Sequence, residues 1–187
     1  MAENTLVTSD QDLLRRIAEG DRLAFQALYA RHNVRLYRFL LRRMGNKAAA
    51  EDLVHDVFLD VWKSAARFEG RSQVATWLLA MAHNKSVDAA RKRMGAPLDE
   101  DAMALLEDAG PTPEQHSSRT SEAKLIRRCM GALSAEHREI IDLVYYQEQS
   151  IAEIGVILAI PENTVKTRMF YARKHLKALL AEAGVER

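Results

Sequence analysis

Residues 150–180, SIAEIGVILAIPENTVKTRMFYARKHLKALL, decide how the rest of the chain is read. Ser150 followed by Glu153 has the spacing of a capping box and predicts a helix start. Ile151, Ile154, Ile157 and Leu158 then repeat at helical spacing and would face a core. Ala159-Ile160-Pro161 interrupts the run. Proline disfavours helical geometry in the residue before it, yet suits the first turn of a new helix. A second pattern follows, with Val165, Met169, Ala172, Leu176 and Leu179 on one face. Asn163, Thr164, Thr167, Arg168, Tyr171 and Lys174 occupy the other, flanked by Lys166 and Arg173. A short helix, a tight turn and a longer cationic helix make a helix-turn-helix, whose second helix enters the DNA major groove. The same hairpin would also serve as plain bundle structure, and the remaining sequence has to choose.

Composition narrows the choice. Of 187 residues, 48% are apolar and 28% charged, with 8 Gly and 4 Pro. That is an ordinary globular composition in which helix formers dominate. The predicted fold is all-α, two small helical domains joined by a linker. No apolar run approaches the roughly 18 residues that would span a bilayer. The polar, acidic start MAENTLVTSDQD is not that of a signal peptide, and the single cysteine fits a reducing cytoplasm. Catalytic parts are absent: there is no glycine-rich phosphate loop, no HExxH, and no Cys-His set at metal spacing. The expectation is therefore no enzyme activity, no cofactor and no metal. Cys129 falls in an apolar helix stripe, which favours a core role over a redox switch.

The net charge is only +1, but the charges are segregated. Residues 161–180 hold five Lys or Arg against one acid, whereas 95–118 hold six acids and no Lys or Arg. Such asymmetry suggests a basic surface for nucleic acid. Phosphate neutralisation supplies most nonspecific affinity, so a near-neutral chain would bind DNA weakly without a partner.

In chain order, residues 1–9 read as a disordered lead. Helices are predicted at Asp12–Glu19, Leu23–Met44, Ala48–Ala66 and Val74 to about Met94. Phe25, Leu28, Tyr29, Leu36, Tyr37, Leu40 and Leu41 are the expected core face of the second. Leu53, Val54, Val57, Phe58, Val61 and Trp62 are that of the third. Residues 12–94 form the first domain. Residues 95–120, rich in proline and acid, are expected to form a linker with a helical turn at 102–106. About 25 residues reach at most ~80–90 Å when extended, enough to pass one and a half turns of B-DNA, about 50 Å. Residues 121–184 form the second domain. In it Leu125, Ile126, Cys129, Met130 and Leu133 face inward, and a helix capped by Ser134 carries Ile140, Ile141 and Val144.

Four segments in this order resemble the extracytoplasmic-function (group 4) sigma factors of the sigma-70 family. GDRLAFQALYARH (Gly20–His32) resembles the opening helix of domain σ2. AEDLVHDVFLDVW (Ala50–Trp62) resembles the segment that docks on the β′ clamp helices of RNA polymerase. FEGRSQVATWLLAMAHNKSVDAARKR (Phe68–Arg93) resembles the loop and helix that read and open the −10 element. LSAEHREII with SIAEIGVILAIPENTVKTR resembles σ4, which reads the −35 element. The resemblance implies core RNA polymerase (β′ clamp helices and β flap), promoter DNA and an anti-sigma factor as partners, and a stress-response regulon.

It also implies site residues. Glu51, Asp52, Asp56 and Asp60 would form the polymerase-binding face, where complementary charge aids orientation and on-rate. Gly70, Arg71, Ser72 and Gln73 would shape a pocket for unpaired −10 bases, with Asn84 and Lys85 facing the bases and Arg91 nearby. Trp77 lies in the same segment, though a Trp within a helix stripe favours the core. Single-stranded DNA is held by aromatic stacking plus cationic tracking of the backbone. In σ4, Asn163, Thr164, Thr167 and Arg168 would reach base edges, with Tyr171 beside them, while Lys166, Arg173 and Lys174 suit phosphates. Ala159 departs from the family pattern, which commonly has a turn glycine there. The competing reading is a stand-alone helix-turn-helix regulator that binds duplex DNA without polymerase.

Overall fold

The structure, a computed structural model, describes residues 8–92 and 116–184, with side-chain detail in the second segment from Ala123 onward. The expected linker turn at 102–106 lies outside the described residues. Part of the expected lead is ordered after all. Ser9 Oγ accepts the Asp12 N–H at 3.1 Å and starts α1, Asp10–Ala18, while Thr8 O accepts from Arg31 at 2.7 Å. Asp21 caps α2, Arg22–Met44, by accepting from the N–H groups of Leu23 and Ala24. Gly45, at φ 59°, ends that helix in the left-handed conformation glycine tolerates. Asn46 accepts from Ala49 N–H and opens α3, Lys47–Ser64, which tightens into a 3₁₀ turn at Ala65–Arg67. After a loop, α4 runs Val74–Lys92.

The second unit contains α5 (His116–Ala132), α6 (Ala135–Tyr145), α7 (Ile151–Leu158) and α8 (Glu162–Glu182). Helix α5 begins five residues before the expected Ser121. No strand occurs among the described residues. Ser134 caps α6 by accepting from His137 N–H. The capping box of α7 is complete: Ser150 accepts from Glu153 N–H, and the Glu153 carboxylate accepts from Ser150 N–H at 2.8 Å.

The predicted apolar faces pack as one core. Leu28, Leu36, Leu40 and Leu41 of α2 and Leu53, Val54, Val57, Phe58 and Val61 of α3 are buried with Leu78, Leu79 and Ala82 of α4. Phe39, absent from the expected face, is among the largest fully buried side chains. Two expectations fail. Trp62 is 38% exposed and packs edge-on against Phe25 at 5.4 Å, toward the end of the α2–α3 seam. Ile126 is exposed, since α5 turns mainly Cys129 and Met130 toward α8. Cys129 is buried, its thiol directed at Leu179 O, as its place in the stripe predicted. The cluster that begins in α1–α4 continues into Ile140, Leu143, Ile154, Ile157, Leu158 and Val165, so the two units share packed surface.

Candidate nucleic-acid interface

The turn between α7 and α8 sets how the second helix is presented. Ala159 adopts φ 53°, ψ 43°, the conformation that costs a residue with a Cβ about 1–2 kcal/mol. Gly155 makes the turn possible from the other side, because a Cβ there would meet Ile160 O at 3.1 Å. Pro161 is the N-cap of α8 and lies just outside its first turn.

On α8, Val165 and Ala172 are buried, with Met169, Leu176 and Leu179 half-buried beneath. Asn163, Lys166, Thr167, Tyr171, Arg173 and Lys174 are exposed, and Thr164 is half-exposed. The Thr167 hydroxyl donates to Asn163 O at 2.9 Å, which orients it along its own helix. Arg168 is turned toward α6, where its Nη2 lies 3.4 Å from Glu136 Oε1. Arg173 lies over the Tyr145 ring at 5.6 Å.

Sequence reasoning passed over Phe170, which is 64% exposed and rests edge-on against Tyr171. It stands four residues from both Lys166 and Lys174 and three from Thr167, so it occupies the middle of the polar face. The signal was available: a large aromatic at the helical position opposite Val165 and Ala172 has no core to enter.

The −10 candidates run from the loop before α4 to the last turn of that helix. Gly70, at φ 70° with open space around it, turns the loop. Arg71 pairs with Glu69 at 2.6 Å, Ser72 is half-buried, and Gln73 is exposed. Trp77 is half-buried with its ring 5.3 Å from Phe68, which agrees with the core-leaning expectation. Asn84 is exposed, and Arg91 stands 3.8 Å from Asp88. Lys85 points elsewhere, forming an ion pair with Asp60 at 2.7 Å. That pair joins a candidate for DNA to a candidate for polymerase, because α3 and α4 are neighbours. Glu51, Asp52 and Asp56 are exposed along α3, and the Asp60 side chain stays 45% exposed beside its pair with Lys85. No group of three or more metal-ligating side chains occurs among the described residues. Nor is any described helix long and apolar enough to cross a membrane.

Sequence comparisons agree with this two-part arrangement. The family described as Sigma-70 region 2 matches residues 28–95, and Sigma-70 region 4 matches residues 123–176. The ECF RNA polymerase sigma factor SigK of Mycobacterium sp. (strain KMS) is 33% identical over 178 residues, covering 93% of this chain and 92% of its own. SigL of Mycobacterium tuberculosis (strain ATCC 25618 / H37Rv) is 34% identical over 175 residues, covering 91% of this chain and 96% of its own. Two solved structures share the architecture. CnrH in complex with the cytosolic domain of CnrY has 25% identity and TM-score 0.69, covering 92% of this chain and 97% of that one. RpoE in complex with the anti-sigma factor NepR from Bartonella quintana has 27% identity and TM-score 0.67, covering 87% and 98%. The chain belongs to the extracytoplasmic-function RNA polymerase sigma factors of the sigma-70 family.

Proposed function

We propose that this chain binds core RNA polymerase and directs initiation by gripping two promoter elements, with α8 on −35 and the loop and helix at Gly70–Arg91 on −10. The observation that carries the reading is the exposed polar face of α8, backed by a buried apolar face in a chain that matches both sigma regions. Asn163, Thr164 and Phe170 are placed to meet base edges, and Lys166, Arg173 and Lys174 to meet phosphates. Phe170 replaces Arg168 as the leading reader, since an exposed Phe offers apolar contact to a thymine methyl. Arg168 becomes a reader only by leaving Glu136, an exchange that costs little because exposed ion pairs are worth about 0–1 kcal/mol. At −10, the Gly70–Gln73 loop receives unpaired bases, with Asn84 and Arg91 alongside, and Lys85 joins them if its pair with Asp60 opens. Capturing unpaired bases offsets the few kcal/mol of unstacking that melting requires. The chain has no active site of its own, and polymerase performs the chemistry.

Glu51, Asp52 and Asp56 supply the charge for docking on polymerase, through the β′ clamp helices, while the second unit meets the β flap. Control by an anti-sigma factor is supported by the two similar structures, both solved as complexes, one of them named as an anti-sigma complex. A stress-response regulon and a cytoplasmic location follow from the same reading. The deciding experiment is run-off transcription on genomic fragments with core polymerase plus this protein. New start sites that share two spaced elements are expected; no transcripts above core polymerase alone would refute the reading.

A further inference from the structure

His137 and His175 lie 38 positions apart in the chain and meet where α6 packs on α8. His137 sits in the first turn of α6, its backbone N–H donating to the Ser134 cap at 3.3 Å. His175 is exposed at the edge of the polar face of α8, beside Lys174. Their Nδ1 atoms are 3.3 Å apart, and the ring centroids are 5.0 Å apart at an interplanar angle of 66°. The neighbouring guanidinium groups are engaged elsewhere. Arg168 lies 3.4 Å from Glu136, Arg173 is over the Tyr145 ring, and Arg138 donates to the carbonyls of Met130, Gly131 and Leu133. The Glu136 side chain, 64% exposed, leaves a carboxylate at the same end of α6.

Three arrangements bring two imidazole nitrogens together, and the two distances separate them. A water bridging both rings through hydrogen bonds of ordinary length would hold the nitrogens about 4–5 Å apart. A direct hydrogen bond, close to in line, would place the ring centroids about 5.3–5.6 Å apart. Two nitrogens bound tetrahedrally to one metal at about 2.0–2.1 Å stand about 3.3–3.4 Å apart, with centroids about 5.0–5.3 Å apart. Only the third agrees with both distances. We propose that His137 and His175 form a site for one divalent transition-metal ion of the zinc type, bound through both Nδ1 atoms. Imidazole nitrogen suits Zn²⁺, Co²⁺, Ni²⁺ and Cu²⁺, whereas Mg²⁺ and Ca²⁺ take oxygen. Ligation through Nδ1 leaves the proton of each ring on Nε2. With two protein ligands, water fills the remaining positions, so the ion exchanges more readily than one held in a four-ligand structural site. The bound ion ties α8 to α6 and adds positive charge beside Lys174. The site stands on its own geometry; only its effect on −35 binding rests on the proposed function.

Calorimetric titration of the untagged, metal-stripped full-length chain with Zn²⁺ tests the site. One ion per chain is expected. His137→Ala and His175→Ala should each weaken binding by at least about tenfold, since a single imidazole is left to hold the ion. His55→Ala, which removes an exposed histidine outside the pair, should leave binding unchanged. In NMR spectra the His137 and His175 ring signals should shift together up to one equivalent. Should His137→Ala lose helical circular dichroism, His175→Ala, at an exposed position, carries the comparison. No binding at millimolar Zn²⁺, binding that survives the substitutions in the pair, or binding lost in His55→Ala overturns the site. Promoter competition with holoenzyme separates the two readings. Added Zn²⁺ should tighten binding several-fold with the wild-type chain and not with His175→Ala. Equal affinity with and without Zn²⁺ overturns the effect on −35 binding and leaves the site to the titration. No promoter binding by wild-type holoenzyme defeats the proposed function, and the titration again decides the site.

Discussion

Phe170 and Arg168 show how differently two neighbours on one helix are employed. Phe170 sits exposed between Lys166 and Lys174, and a methyl contact is worth about 0.8 kcal/mol. Replacing the preferred thymine by uracil in one −35 position should therefore weaken holoenzyme binding by about 1 kcal/mol, measured by competition between labelled promoters. Phe170→Ala should abolish that thymine–uracil difference while leaving other positions unchanged; a difference that persists removes Phe170 from base reading. Arg168→Ala should cost about 1–3 kcal/mol and relax discrimination at a guanine if the side chain leaves Glu136 on binding. Unchanged discrimination among −35 variants would leave Arg168 as a brace between α8 and α6. Lys166, Asn163 and Lys174 were legible in the sequence because polar residues opposite an apolar stripe must face water or a ligand. The Glu136–Arg168 contact was not, because it joins helices whose relative placement no local pattern fixes.

At the scale of elements, caps and stripes located the helices to within a few residues. Ser150 with Glu153, Ser134 and Gly45-Asn46 all act as their chemistry predicts, because a cap satisfies backbone N–H groups within three residues. The misses concern which face is covered. Trp62 continues the α3 stripe but is covered in part by Phe25 and stays exposed, and Ile126 turns outward from α5. A stripe states what prefers burial, whereas the partner helix decides what obtains it. Ala159 marks a place where local preference yields to the turn, holding φ 53° without glycine's freedom. Ala159→Gly should raise stability by about 1 kcal/mol, seen as a rise of about 2–4 °C in the thermal midpoint. An unchanged or lowered midpoint would mean that the αL conformation carries no strain here.

For the whole molecule, the contact between units is the feature with most consequence. Burial pushes the Asp142 carboxyl up to about 7, against the pull of Arg42 and with a further push from Glu139. Burial also pushes Glu139 up, but its hydrogen bond from His83 and the Arg43 charge outweigh that, leaving it below the usual carboxylate range. The two act with opposite sign. A raised carboxyl contributes stability that is present below the ordinary value near 4 and lost as pH rises through about 7. A depressed one contributes stability present above its ordinary value and lost as pH falls through the folded value. Between pH 6 and 8 only the first matters, so stability should fall by on the order of 1 kcal/mol. Denaturant unfolding at the two pH values checks this, and Asp142→Asn should remove the difference; equal loss in that variant would place the proton elsewhere. The sequence by itself determined two helical units, their order, the caps and the cationic face of α8, because those depend on periodicity and on groups a few residues apart. Only the tertiary structure decided that Lys85 is held by Asp60, that Arg168 is turned to Glu136, and that Arg42 and Asp142 are forced together. Such pairings join residues from separate helices, in one case 100 positions apart, and are fixed by the packing of whole faces.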